Sequence, residues 1–312
     1  MTYLFIEPGL HICGGIRRIV EIATRLRNLG HIVYVASPKG RACTWLDSNF
    51  IPIKLANIKE FSKKHKIDIC IFNLADQYTE AKAVTAAIKI FWVLAPEAMY
   101  KNPEIPIKAL NCGFNLLSNS SFTVSYIKKY ARNYKDNITI IPGGINKTHF
   151  KYDSIIPKIY HVMYYGSSRP WKGAQIIERA LTPLQLRLHK MNTGNMLQTQ
   201  MYKLYASATC YVSAGQIEGF NFPILEAMAC GCPVVCTSDG GSADFVKDGI
   251  NAIVVNRTVE GISKGVRRIL GDKDLRRKLK QGGLETASAK KYNWDVVTKQ
   301  FSDYAENLLY RE

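Results

Sequence analysis

The sequence predicts an α/β protein of two domains, each a parallel sheet flanked by helices. Three observations predict it. The chain has 312 residues, more than one hydrophobic core usually serves, so two domains of about 150 residues are expected. Short apolar runs alternate with amphipathic stretches, the pattern of βαβ units. That pattern lapses once, near the middle. Hydrophobic residues make up 47% and charged residues 21%, which suits a soluble globular chain and argues against disorder.

The elements follow in order. Tyr3 to Ile6 is a first strand, and Gly14-Gly15 ends the loop after it. Ile16, Ile19, Val20, Ile22, Ala23 and Leu26 recur at helical spacing, with Arg17, Arg18 and Arg25 off that face. Gly30 is the C-cap candidate, and His31 to Ala36 the next strand. Asp68 to Phe72 reads as a buried strand, Gln77 to Ile88 as helix and Ile90 to Leu94 as extended. Ser120 can cap a helix from Phe122 to about Tyr130, and Ile138 to Ile141 is a last strand before Pro142-Gly143-Gly144. His149 to Lys158 has no periodicity and holds Asp153 and Pro157, so it reads as the linker. The second series runs from strand Tyr160 to Tyr165, through strand Cys210 to Ser213, helix Pro223 to Ala229, strand Pro233 to Cys236 and a strand at Val254-Val255. Helices near Val259 to Leu270, Lys273 to Ala289 and Trp294 to Leu309 end the chain. The expected domains are residues 1–152 and 153–293, with the C-terminal helix 294–310 able to pack back onto the first.

The net charge of +17 suits an acidic partner, whether nucleic acid, an anionic membrane or a phosphorylated substrate, and equally a solvated lysine-rich surface. The eight cysteines lie mostly in apolar runs and read as small buried hydrophobes. The cluster Cys230-Gly231-Cys232 with Cys236 lacks a second ligand pair at zinc spacing, so no metal is expected. Met1 leads straight into a strand without a basic n-region, and no apolar run reaches the ~20 residues of a membrane span. A cytoplasmic location, peripheral to a membrane at most, is the expectation.

Three places could carry chemistry, all at strand ends, where ligands bind in open parallel sheets. Gly14-Gly15 opens a helix, whose free amides bind anions, although such a pair alone is more often a plain tight turn. Gly166 to Gly173 follows a strand and holds Arg169 and Lys172, a planar fork and a point charge suited to a diphosphate. The bland reading of both is surface cations. Glu218-Gly219-Phe220-Asn221-Phe222-Pro223-Ile224-Leu225-Glu226 puts Pro223 at the first helical position, Glu226 in the first turn and Glu218 in the loop before it. Carboxylates accept from sugar hydroxyls, and the amides between them can hold a phosphate or a hydroxyl. Otherwise Glu226 simply complements the helix dipole and Glu218 is a solvated loop acid.

The stretch from Glu218 through Glu226-Ala-Met-Ala-Cys-Gly-Cys-Pro-Val-Val to Asp239-Gly240-Gly241 resembles the E-x7-E motif of retaining GT-B glycosyltransferases of the family-4 type. Pro142-Gly143-Gly144-Ile145-Asn146 with Phe150 resembles that family's domain-junction segment, and Ile12 to Val35 its opening phosphate loop. The resemblance implies two Rossmann-like domains facing across a cleft, the first for the acceptor and the second for a nucleotide-sugar donor. It implies that Arg169 and Lys172 hold the donor diphosphate and stabilise the leaving group, and that Glu226 takes the ribose hydroxyls. Glu218, with the Phe220 and Asn221 backbone, orients the sugar, Gly166 and Gly219 frame the donor loops, and Gly15, with Gly14, lets the first domain approach the diphosphate. No cofactor or metal is implied. Where relatives place a histidine, this chain has Leu94-Ala95-Pro96-Glu97-Ala98, in which Glu97 is the ionisable candidate for the acceptor side. The segment Thr182 to Ser207 is short of a βα unit, which leaves the base of the nucleotide open.

The expected activity is transfer of a sugar from a nucleoside diphosphate to a hydroxyl of a glycan or lipid-linked acceptor. The runs Lys59, Lys63, Lys64, Lys66 and Lys128, Lys129, Arg132, Lys135 could rest on anionic lipid headgroups. Two alternatives stand beside it: a protein that binds or glycosylates DNA, for which no nucleic-acid motif is present, and another GT-B enzyme such as an epimerase or phosphorylase.

Overall fold

The computed structural model describes residues 1–132, 134, 138–192 and 198–310. It divides into two compact units, Met1–Gly144 with Trp294–Glu312, and Ile145–Asn293. The first contains β1 (Thr2–Ile6), α1 (Gly14–Asn28), β2 (Ile32–Ser37), β3 (Ile51–Lys54), α2 (Ile58–Lys64), β4 (Ile69–Phe72), α3 (Tyr78–Ala83), β5 (Ile88–Val93), α4 (Glu104–Leu110), β6 (Asn115–Ser118) and α5 (Ser121–Tyr130). All six strands are parallel, in the order β3-β2-β1-β4-β5-β6. Successive residues of β1 alternate between faces, so Leu4 and Ile6 join Cys70, Phe72 and Phe91 in one core layer. Strand order reverses between β1 and β4, which opens a crevice at their carboxyl ends.

The second unit contains β7 (Tyr160–Tyr165), α6 (Ala174–Leu181), β8 (Leu188–Met191), α7 (Gln198–Ser207), β9 (Ala208–Ser213), α8 (Phe222–Ala229), β10 (Val234–Thr237), β11 (Ile253–Val255), α9 (Val259–Gly271) and α10 (Lys273–Ser288). Its five strands are parallel, in the order β11-β10-β9-β7-β8. Val162, Cys210, Val212 and Val235 form a core with Ile177 and Leu181 of α6 and Ile262, Val266 and Ile269 of α9. Here the order reverses between β7 and β9, so the loops leaving these two strands flank the switch-point crevice.

The last helix, α11 (Trp294–Leu309), belongs to the first unit. Its Phe301 stacks on Trp92 with centroids 5.0 Å apart and leans on Tyr3 and Phe5, while Arg25 of α1 donates to Asp295 at 2.9 Å. Gly144 makes room for Trp294, since a Cβ there would lie 2.4 Å from the indole.

Several elements differ from the sequence pattern. The helical reading of Gln77 to Ile88 shortens to α3, because Val84 turns extended and the Ile88 amide joins the sheet by donating to Asp68 O at 2.9 Å. Ile138 to Ile141 makes one bridge, Ile140 opposite Ser118, instead of a strand. The dividing line falls between Gly144 and Ile145 and not after Tyr152: Ile145 N donates to Tyr292 O at 2.7 Å, and Phe150 is buried with its ring edge-on to Tyr205. Arg17 and Arg18, expected off the apolar face of α1, are buried. Arg18 is tolerated there because Nη1 donates to the carbonyls of Ile141 (3.0 Å) and Pro142 (2.8 Å) and the guanidinium lies over Trp92. Burial brings its pKa down to about 9, still leaving a cation at neutral pH.

Among the described residues no helix is long and apolar enough to cross a membrane. Lys59, Lys63, Lys64 and Lys66 are exposed on and just after α2, as are Lys128, Lys129 and Arg132 at the end of α5; Lys135 lies outside the described residues.

Candidate functional site

Both predicted loops of the second unit leave the strands that flank its switch point. The first follows β7. Gly166 is closely packed, since a Cβ would meet Lys190 and Asn192. Arg169 then precedes a single 3-10 turn, Pro170–Lys172, with its amide donating to Ser167 Oγ at 3.2 Å and its exposed guanidinium 5.9 Å from the Trp171 ring centroid. Gly173 closes the turn in the left-handed region (φ 78°), where a side chain is strained, and a Cβ would sit 2.2 Å from Ala214 O. Gln216 N donates to Trp171 O, and Arg257 donates to both Pro170 O and Ala214 O, so this loop is braced against the one leaving β9.

The second loop carries Glu218. Its carboxylate takes the Lys172 ammonium at 2.7 Å on Oε1 and 2.8 Å on Oε2. Lys172 remains 34% exposed, so the pair faces open space while the acid is mostly covered. The Glu218 backbone is clamped on both sides, its N donating to Asp239 O and its O accepting from Gly241 N, both at 2.9 Å. Gly219 is buried in this clamp, and Gly241 must be glycine because a Cβ would reach 2.3 Å from Gly219 C. Phe220 is buried, its ring meeting Phe222, Phe245 and Tyr292. Asn221 adopts φ 64°, a conformation that asparagine tolerates better than most residues.

Glu226 is placed differently from the sequence expectation. Helix α8 begins at Phe222 with Asn221 as its N-cap, so Glu226 falls beyond the first turn and does not complement the helix dipole there. It is instead buried (2% exposed) and accepts at 3.0 Å from the hydroxyl of Tyr205, itself fully buried on α7. The helix periodicity around Tyr205 offers no signal for this contact; it comes from packing α7 against α8. Asp239 is the other residue that sequence reasoning quoted without a role. It is 1% exposed and accepts from Asn221 Nδ2 at 2.5 Å, Ser242 N at 2.9 Å and Ser242 Oγ at 2.7 Å. Asn221 Nδ2 also donates to Ser213 Oγ at 3.2 Å.

In the first unit, Gly14 and Gly15 are the opening residues of α1, capped by Cys13 Sγ. A Cβ on Gly15 would meet only Leu94, at an ordinary 3.7 Å, so packing inside this unit does not demand glycine there. Glu97 is buried with both oxygens engaged: Oε1 accepts from Ala75 N at 2.9 Å and Oε2 from Lys101 Nζ at 2.8 Å. That makes it a brace between the turn after β4 and the segment before α4. Glu7, which the sequence reading passed over, stands at the switch point. Its side chain is buried, Oε1 accepts from Asn73 Nδ2, and Oε2 meets no partner among the described residues. Burial pushes its pKa well above the carboxylate range, although the Asn73 bond pulls the other way.

Residues 162–286 match the family model described as glycosyl transferases group 1. This segment belongs to the group 1 glycosyl transferases. The group 1 domain spans β7 to α10 and so carries Arg169, Lys172, Glu218 and Glu226. The chain is 37% identical over 97 residues to the O-antigen chain mannosyltransferase B of Escherichia coli (31% of this chain, 25% of that protein). It is 28% identical over 117 residues to the lipopolysaccharide 1,2-N-acetylglucosaminetransferase of Salmonella typhimurium (36% of this chain, 30% of that protein). It therefore spans about a quarter to a third of the length of these relatives. In solved structures, the sucrose-phosphate synthase of Thermosynechococcus elongatus superposes with TM-score 0.86 at 15% identity over all of both chains. Anabaena HepE in complex with UDP-glucose gives 0.80 at 16% identity over 98% of this chain and all of that one. The fold is GT-B.

Proposed function

We propose that the chain is a retaining glycosyltransferase of the family-4 type that moves a sugar from a nucleoside-diphosphate sugar to an acceptor hydroxyl, in the synthesis of a glycan, polysaccharide or glycolipid. The observation that carries this reading is the Lys172–Glu218 pair at the switch point of the group 1 domain. A half-exposed ammonium beside an exposed guanidinium suits a diphosphate, and charge placed where a phosphate departs is a large catalytic term. In this reading Arg169 and Lys172 bind the diphosphate, and Glu218 with the Gly219–Asn221 backbone orients the sugar. Glu226, held by Tyr205, accepts from the ribose hydroxyls. Gly166 and Gly173 keep the cationic loop close to the sheet. Separately, the amides of Gly14 and Gly15 at the start of α1 suit an anion by the same helix-end physics. The names of the relatives, two transferases of mannose and N-acetylglucosamine, and the UDP-glucose bound to HepE support the donor class.

The reading needs no metal, since protein cations neutralise the leaving group. The acceptor is a glycan or a lipid-linked saccharide, and the exposed lysines around α2 would rest on anionic headgroups. The test is release of nucleoside diphosphate from a panel of UDP-, GDP-, ADP- and dTDP-sugars, with and without EDTA. One donor should be consumed, with turnover unchanged by EDTA. Lys172→Ala and Glu226→Ala should each lose about a hundredfold or more in kcat/KM with an unchanged far-ultraviolet circular dichroism spectrum. Full activity in both variants would overturn the site assignment.

A further inference from the structure

Asp239 sits just after β10, with its carbonyl bonded to the amide of Glu218 on the loop leaving β9. Its side chain contacts are three donors: Asn221 Nδ2, Ser242 N and Ser242 Oγ. No lysine or arginine pairs with it among the described residues. The ionisable side chains near it are Glu218 on the β9 loop, Tyr211 on β9 and Cys236 on β10, and Glu218 is itself paired with Lys172. Burial is the main influence on its carboxyl, with repulsion from Glu218 adding to it and the three donors opposing it; together they push the pKa from 3.8 up to about 6. Ordinary packing would favour a neutral residue here, because a buried unpaired charge costs stability.

What the charge does is visible in the connections. Through its side chain Asp239 holds Asn221 in its left-handed conformation, and through its carbonyl it holds the Glu218 amide. Both ends of the four-residue segment Glu218–Asn221 therefore hang on this one residue. Ser242, the third donor, ties the same carboxylate to the turn whose Gly241 amide holds Glu218 O.

We infer that Asp239 is a positioning residue, whose ionised carboxylate fixes the Glu218–Asn221 loop in its ligand-binding shape at the expense of the stability of the folded chain. This rests on the proposed function for the identity of the loop's ligand, but not for the clamp itself. Protonation, or replacement by asparagine, puts a donor where Asn221 Nδ2 now donates. The Asn221 amide must then rotate, which breaks its bond to Ser213 Oγ and loosens the segment that carries Glu218.

Asp239→Asn in the full chain tests this with two independent measurements. The first is thermal unfolding at pH 5 and pH 7.5. An acid whose pKa is raised on folding takes up a proton as the chain folds, so the folded state loses ground as pH rises from about 4 to 6. The change from 3.8 to about 6 corresponds to about a hundredfold in the folding equilibrium above pH 6. About tenfold of this falls between pH 5 and pH 7.5, so the difference in melting temperature should move in favour of the asparagine variant by roughly 3 °C over that interval. A difference that does not change with pH refutes the clamp as an ionised group. The second is the pH profile of kcat/KM for whichever sugar nucleotide of the UDP, GDP, ADP and dTDP panel the wild type consumes. Wild type should lose activity below about pH 6, whereas the variant should be about tenfold slower at pH 8 with no such acid limb. Wild-type kcat/KM in the variant at pH 8, or a retained acid limb, refutes the positioning role. If the wild type consumes no donor, the functional reading fails, and the melting arm still decides whether Asp239 is a charged clamp.

Discussion

Replacing Gly173 by alanine perturbs the cationic loop without touching a charged residue. Gly173 has φ 78°, and a methyl group there would lie 2.2 Å from Ala214 O and 2.7 Å from Ala214 Cβ. An ordinary carbon-to-oxygen contact is about 3.3 Å, so something must retreat by about 1 Å. Ala214 cannot easily do so, because its carbonyl is already held by Arg257 Nε at 2.9 Å. The loop must move instead, and with it Lys172, one residue away. A shift of about 1 Å would stretch the 2.7 Å contact to Glu218 beyond hydrogen-bonding distance. The left-handed conformation costs a non-glycine residue about 1 kcal/mol, and the overpacking about 2 kcal/mol more. A total of about 3 kcal/mol in a chain of this size lowers the melting temperature by roughly 6–12 °C. Misplacing a catalytic group by about 1 Å can lower turnover about a hundredfold. Gly249→Ala is the control: it shares a positive φ (67°) but would meet nothing within 4 Å, so it carries only the backbone cost. Calorimetric melting and donor turnover should separate the two variants clearly. Equal melting temperatures, or wild-type turnover in Gly173→Ala, would refute the loop-displacement account.

Two further expectations follow from buried groups. Tyr205→Phe deletes a donor to the buried Glu226 carboxylate, worth about 1.5–3 kcal/mol for a bond to a charged group, and should weaken nucleotide binding about tenfold by isothermal titration with a lower melting temperature; unchanged affinity would show that Tyr205 does not hold Glu226 in place. Glu7→Gln keeps the acceptor for Asn73 but removes the possibility of a buried charge. Because burial raises the Glu7 pKa, the wild-type chain should lose stability relative to this variant as pH climbs above about 4.5, and parallel melting curves from pH 5 to pH 8 would rule this out.

Much of the candidate site was legible because its signals are short-range. The glycine-rich turn at Gly166–Gly173, the acid pair at Glu218 and Glu226 and the glycines at 14 and 15 are all local patterns, and strand periodicity located them at strand ends. The missed strands carry polar residues that hide the apolar run: Asn115 in β6, and His189 with Lys190 in β8. The sequence neighbourhood of Glu97 gives no hint of Ala75 N and Lys101, which occupy both its oxygens. The first turn of α8 was misjudged by one residue, enough to move Glu226 out of reach of the helix dipole and into the care of Tyr205.

By itself, then, the sequence determined the parallel α/β class and the places of the glycine-rich and acidic loops at strand ends, since each depends on periodicity or on a motif a few residues long. The tertiary structure decided strand order, and with it everything that joins distant segments. Asp239 anchors Asn221, Tyr205 holds Glu226, Ala214 demands glycine at 173, and Arg18 lies buried under carbonyls from Ile141 and Pro142. The physical reason is that a buried polar group is stable only with a specific partner, and that partner is set by which strands lie side by side, not by what stands next in the chain.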